Sequence, residues 1–215
     1  MPIRVRQHVN PLSDKYGQPA QPPSWQTVYA KPQQPLHIDI GCGKGVFARD
    51  MAVACPDWNF LGLEIRQPLV DQALKRRDEA GLKNLHFIFC NANNSLKPLL
   101  ESWNEGLPLQ RVSIQFPDPW FKKRHQKRRV VQPQLVQELA QYMPVGGWVW
   151  LQSDIEAVAQ EMCDRFTEHP SFDRQGDRWL SENLLAAQTD RECVTLAQNK
   201  PVYRALFLCN EYARS

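Results

Sequence analysis

From residue 36 onward, short apolar runs alternate with stretches in which apolar residues recur every three or four positions. The runs at 36–40, 59–63, 85–90, 111–116 and 148–152 have the length and character of strands buried on both faces. Between them, Leu69, Val70, Ala73 and Leu74, and later Ile155, Val158, Ala159, Met162 and Phe166, share one helical face. Alternating strand and helix require right-handed crossovers, which predicts an α/β fold with a mostly parallel sheet and helices on both faces. The late apolar run at 202–209 is expected to insert as an antiparallel strand near the sheet edge. Residues 1–35 differ: they hold seven of the 17 prolines, several glutamines and no sustained apolar period, so they read as an irregular N-terminal arm. Residues 36–215 then form one domain, since 215 residues are too few for two large ones.

A polar or acidic residue closes each of the first four runs: Asp39, Glu64, Asn91 and Asp118, at intervals of 25, 27 and 27 residues. A strand, a crossover helix and two short loops need about that length, so all four should lie along the carboxyl edge of the sheet, where open parallel sheets bind ligands. Polar residues also follow strands into solvent for no chemical reason. Four at crossover spacing argue for a shared site.

Asp39 opens the stretch Asp39-Ile40-Gly41-Cys42-Gly43-Lys44-Gly45. Alternate glycines such as Gly41 and Gly43 let a ligand lie against bare backbone, although a purely structural tight turn uses them too. A dinucleotide fold reads G-x-G-x-x-G, and a carboxylate beside its phosphates would be repelled. Beside an amino-acid moiety carrying an ammonium and a sulfonium the same carboxylate is attractive, which points to S-adenosylmethionine. Glu64 suits a pair of ribose hydroxyls and Asn91 the adenine edge.

In Gln115-Phe116-Pro117-Asp118-Pro119-Trp120 two prolines bracket an acid and restrict the backbone on either side, which aims Asp118 in one direction. A carboxylate beside a flat ring suits guanine, whose N1–H and N2 amino group are donors. Trp120 also fits a buried anchor under the loop. Seven basic residues follow within eight positions: Lys122, Lys123, Arg124, His125, Lys127, Arg128 and Arg129. Such a run is usually a solvated face, but beside this motif it reads as a track for the phosphates of a polyanionic substrate.

The net charge of +3 is too small to establish a nucleic-acid partner without that clustering. Six cysteines scattered without C-x-x-C pairs argue against a disulfide framework and against a structural metal, and no metal site is expected. No apolar run reaches the roughly 20 residues of a membrane span, none at the N-terminus resembles a signal peptide, and the mean hydropathy is −0.52. A cytoplasmic protein with no membrane association is expected, as a monomer or a homodimer.

The glycine loop, Gly62-Leu63-Glu64-Ile65-Arg66, the Phe116–Trp120 motif with its basic run and Val130-Val131-Gln132, Ser153-Asp154 and Thr189-Asp190-Arg191-Glu192 together resemble the bacterial tRNA (guanine-N7-)-methyltransferase family. The resemblance covers residues from about 36 to the C-terminus. It implies a Rossmann-like class I methyltransferase fold with a seven-stranded sheet, S-adenosylmethionine as cofactor, and tRNA as partner, methylated at N7 of the variable-loop guanosine 46. It further implies that Asp39, Gly41, Gly43, Glu64, Asn91 and Asp118 bind the cofactor, with Asp118 also catalytic. Lys122, Asp154, Thr189 and Glu192 would contact the substrate, along with Arg124, Lys127, Arg128 and Arg129 of the basic run. Many relatives carry aspartate where Asn91 stands. The rival readings are an amino-methyltransferase acting on RNA or DNA, a non-catalytic RNA-binding module on the same fold and, more distantly, an NAD-dependent oxidoreductase.

Overall fold

The computed structural model describes residues 9–103 and 109–214, so the first eight residues of the expected arm lie outside the described residues. Seven strands form one sheet: β1 (Leu36–Ile40), β2 (Asn59–Glu64), β3 (Leu85–Phe89), β4 (Leu109–Gln115), β5 (Trp148–Ser153), β6 (Phe172–Arg174) and β7 (Tyr203–Cys209). Their order is β3-β2-β1-β4-β5-β7-β6. The pairs among β1 to β5 are parallel, while β7 runs antiparallel to both β5 and β6. All six runs expected as strands are strands, to within two residues at their ends. Strand β6 carries no run of its own: three residues, Phe-Asp-Arg, become a strand only because β7 offers them an edge.

Helices α2 (Val46–Ala54) and α3 (Gln67–Glu79) cover one face, enclosing Phe47, Met51, Phe60, Val70 and Phe87. Helices α4 (Ala92–Glu101), α5 (Pro133–Tyr142) and α6 (Glu156–Thr167) cover the other, where Ile38, Leu63, Val112, Leu139, Leu151 and Phe207 meet. That second core takes alternate residues of the central strands. The intervening residues His37, Asp39, Ser113, Gln115, Gln152 and Arg204 are polar and still buried. The strands therefore do not have two apolar faces: toward their carboxyl ends the α2 and α3 side of the sheet carries a polar layer.

Residues 9–35 contain a 3-10 turn at Asp14–Tyr16 and one helical turn, α1 (Trp25–Val28), and are otherwise irregular. They are pinned to the domain. The Tyr29 hydroxyl donates to the Phe60 carbonyl at 3.0 Å and Trp25 Nε1 to Ser102 Oγ at 2.9 Å. Trp25, Tyr29 and Trp103 pack ring against ring, with centroids 4.3 to 6.1 Å apart. Helix α7 (Asp190–Ala197) lies between β6 and β7 in the chain and sits at the carboxyl end of β5 and the adjacent amino end of β7, to which Glu192 ties it.

Candidate active site

Two cavities open side by side at the carboxyl edge of the parallel strands. The first, about 720 Å³ counted to its mouth, is lined by Gly41, Glu64, Asn91, Asn93, Trp120 and Arg128, with Val9 and Pro11 forming part of its wall. The second, about 1320 Å³, is lined by Asp39, Gly43, Phe121, Asp154, Thr189 and Arg191 among others. Gly41, Arg66, Phe116, Pro117 and Asp118 line both, so Asp118 stands on the partition. The four strand-end residues thus converge, as their spacing predicts, although they divide between two adjoining chambers.

The glycine turn presents open backbone. A Cβ placed on Gly41 or Gly43 would meet no protein atom within 4 Å, and both have positive φ, +82° and +57°. They supply a left-handed turn and leave the cavity side clear of side chains.

Asp39 is held from below. Ser113 Oγ donates to Asp39 Oδ1 at 2.7 Å, and Gln115 Nε2 approaches the same oxygen at 3.4 Å. Since the serine proton goes to Asp39, the serine oxygen accepts from His37 Nε2–H, 3.0 Å away. Burial, reinforced by the Arg111 charge, lowers the His37 pKa to about 3 and keeps the ring neutral. Burial raises the Asp39 pKa to about 6 against the pull of Ser113 and Gln115, and the Glu64 charge adds to the rise. The polar layer continues: Gln152 Nε2 donates to Gln115 Oε1 at 2.8 Å and to Glu192 Oε2 at 3.1 Å, and Arg204 Nη2 pairs with Glu192 Oε1 at 2.7 Å.

Glu64 is more committed than its sequence context indicates. Its Oε1 accepts from Arg66 N at 3.0 Å and Arg66 Nε at 2.8 Å; its Oε2 accepts from Gly43 N and Arg66 Nη2, each at 3.0 Å. Two donors per oxygen fill the four lone-pair positions of a carboxylate, so any further hydroxyl must displace the Arg66 guanidinium. Asn91 caps α4, accepting from Asn93 N at 3.2 Å, and its amide donates to the Pro11 carbonyl at 3.1 Å. It anchors the cavity wall as well as lining it.

The bracketed acid sits in a strained turn. Phe116 and Trp120 have φ of +48° and +41°, and for bulky residues such values cost about 1–3 kcal/mol each. Trp120 faces the first cavity with the Arg128 guanidinium 4.9 Å from its ring and His125 edge-on at 5.6 Å. Of the aromatics lining the second cavity, Phe47, Phe116 and Phe121, the most open is Phe121, 73% exposed.

The structure also redistributes the expected substrate contacts. Lys122, Arg124 and Lys127 are exposed, as a phosphate track requires. Arg128 instead lies over Trp120 beside the first cavity, and Arg129 turns inward to the Pro119 carbonyl and Glu161. Thr189 caps α7 through the Glu192 amide at 3.0 Å and lines the second cavity, where Asp154 is paired with Arg191. Glu192 has no exposed surface. Its carboxylate is consumed by Arg204, Gln152 and Asn183, so it cannot reach a macromolecular substrate and acts by anchoring α7. Arg66 and Phe121 are the additions, and of the two only Arg66 left a signal, its spacing of two from Glu64; Arg191 belongs to the Thr189–Glu192 stretch that the resemblance already marks.

A parallel sheet with an antiparallel penultimate strand, a glycine turn after β1 and an acid at the end of β2 define a class I methyltransferase. Residues 33–205 match the family described as "Putative methyltransferase". The sequence is 61% identical over 206 residues to the tRNA (guanine-N(7)-)-methyltransferase of Trichormus variabilis, covering 95% of each chain. It is 57% identical to the protein of that name from Synechococcus elongatus, covering 96% of each. Among solved structures, an aminoglycoside resistance methyltransferase superposes with a TM-score of 0.56 at 16% identity, covering 83% of this chain and 88% of its own. An rRNA methylase from Streptococcus thermophilus does so at 0.54 and 10%, covering 87% and 92%. These two share the fold. The chain belongs to the tRNA (guanine-N(7)-)-methyltransferase family.

Proposed function

We propose that this protein transfers a methyl group from S-adenosylmethionine to N7 of a guanosine in tRNA, at position 46 of the variable loop. The observation that carries this reading is the pair of adjoining cavities that share Asp118, the first walled by Trp120 and Asn91 and the second, wider one by the exposed Phe121, Lys44 and Arg191, with the exposed basic run following directly after Phe121 in the chain. The residues present fit the cofactor: open backbone at Gly41 and Gly43, a carboxylate at Asp39 for the cationic amino-acid end, and a second at Glu64 for the ribose hydroxyls once Arg66 gives way. The bound cofactor supplies an electrophilic methyl on a sulfonium.

Guanine N7 has a lone pair and no proton, so no general base is needed. The chain's contribution is alignment, with Asp118 accepting from the N1–H and N2 edge and stabilising the positive charge that the purine acquires. Transfer to unmodified tRNA transcripts, followed by nucleoside analysis and mapping, tests this. The product expected is 7-methylguanosine at one variable-loop position; N2-methylguanosine or N6-methyladenosine would refute it.

Two quantitative consequences follow for binding. Only the ionised form of Asp39 attracts a cation, and its raised pKa leaves it protonated below about 6. Cofactor affinity should therefore be flat above about pH 7 and fall about tenfold per unit well below pH 6. Calorimetry from pH 5 to 8 would show that inflection in the wild type and none in Asp39→Asn. For the basic run, each phosphate contact contributes roughly 0.9 to the slope of log K against log[salt] on a duplex. Arg124→Gln with Lys127→Gln is expected to flatten the tRNA slope by between one and two, read by filter binding from about 50 to 200 mM salt.

A further inference from the structure

The turn carrying Asp118 is made of residues that cannot hold it by themselves. Pro117 and Pro119 have no N–H, and Phe116 and Trp120 are held at positive φ. Such a conformation persists only where the surroundings over-determine it. The Phe116 amide is tied to the Gln152 carbonyl at 2.8 Å, which secures the start of the turn. At its far end the carbonyls of Pro119 and Trp120 point to one side chain: Arg129 Nε donates to Pro119 O at 2.8 Å, and Nη2 approaches Trp120 O at 3.5 Å. The third nitrogen, Nη1, pairs with the Glu161 carboxylate on α6. Helix α6 packs on β5, β6 and β7, so this pair fastens the turn to the sheet. The Arg129 main chain is secured in turn, its carbonyl accepting from Gln132 Nε2 at 2.8 Å.

The pair is also placed unlike the rest of the basic run. The Arg129 side chain is 13% exposed and Glu161 24%, whereas Lys122, Lys123, Arg124 and Lys127 are open to solvent. A guanidinium whose three nitrogens all face protein acceptors is poorly disposed toward a phosphate.

We infer that Arg129 is not a ligand for the RNA backbone but, with Glu161, an internal clamp that fixes the Pro119–Trp120 end of the turn and so the aim of Asp118. Both are positioning residues for methyl transfer, an assignment that rests on the reaction proposed above. An RNA ligand and a clamp respond differently to the same changes. Arg129→Lys keeps the charge but loses the fork that reaches two carbonyls and a carboxylate at once. Glu161→Gln removes no positive charge, so any loss it causes cannot be a lost phosphate contact.

The test compares single-turnover methyl transfer at saturating tRNA with the salt dependence of tRNA binding, for wild type, Arg129→Lys, Glu161→Gln, the double variant and Arg124→Gln. Both clamp variants should slow transfer by about tenfold or more and leave the salt slope unchanged, while Arg124→Gln flattens it. The double variant should be no slower than the slower single one, since either change opens the same clamp. A flattened slope in Arg129→Lys, or a wild-type rate in Glu161→Gln, would overturn the assignment. Amide exchange separates the clamp from general destabilisation: it should quicken around residues 118–122 in Glu161→Gln while β1, β4 and β5 stay protected, and uniform quickening would overturn it. Wild-type product that is not 7-methylguanosine would instead sink the underlying reaction, whatever the variants do.

Discussion

Replacing Asp118 with alanine is expected to lower the turnover number for tRNA methylation by roughly 10²–10³-fold, equivalent to about 2.7–4 kcal/mol of transition-state stabilisation. The dissociation constant for S-adenosylmethionine should move much less, by about threefold at most. The asymmetry follows from where Asp118 stands. It lines both chambers, and in the proposed reaction the cofactor keeps other charged anchors in Asp39 and Glu64, whereas Asp118 is the carboxylate assigned to the acceptor purine. Positive charge builds on the purine as the methyl moves, so a carboxylate at its N1 and N2 edge interacts more strongly with the transition state than with the ground state. Calorimetry of cofactor binding alongside single-turnover rates makes the separation. Equal losses in affinity and rate would show that Asp118 is only a cofactor ligand.

Removing the Glu192 carboxylate should produce the largest loss of stability. Glu192→Ala leaves Arg204, 4% exposed, as a buried cation without its partner, and strips Gln152 and Asn183 of an acceptor. Breaking a buried pair from one side costs about 3–5 kcal/mol, a large part of a typical domain's stability. For a chain of this size that lowers the melting temperature by roughly 6 to 20 °C. Because Glu192 holds α7, which starts next to Thr189 and Arg191 on the rim of the second cavity, tRNA affinity should fall at temperatures where the variant is still folded. The double variant Glu192→Ala, Arg204→Met removes the stranded charge and should recover most of the stability without the tRNA affinity. A melting temperature within about 2 °C of wild type in Glu192→Ala would mean that the pair anchors nothing.

The elements that were legible in the sequence are those whose signal is local. The five parallel strands and the late antiparallel one stood out as apolar runs, because a strand in the middle of a sheet must bury itself over its own length. The intervals from Asp39 to Asp118 reported a repeating strand-helix unit, and the strand ends do meet at one edge. The parts that were not legible depend on partners distant in the chain. Strand β6 exists by pairing with β7, and nothing in Phe172–Arg174 announces it. Arg128, Arg129 and Lys122 look alike along the chain, yet one lies over Trp120, one clamps a turn to α6 and one faces solvent.

By itself the sequence determined the class of fold, the edge of the sheet at which the two cavities open and the identity of the acidic residues that line them. Those properties come from spacing, burial length and residue type, each readable within a few tens of positions. Only the tertiary structure decided which polar groups were free to act. It showed Glu64 saturated by Arg66, Glu192 locked to Arg204, and Asp39 supported through Ser113 by a neutral His37. A hydrogen bond depends on two groups meeting within about 3 Å. Residue type states what a side chain can donate or accept, and folding decides whether a neighbour has already taken it.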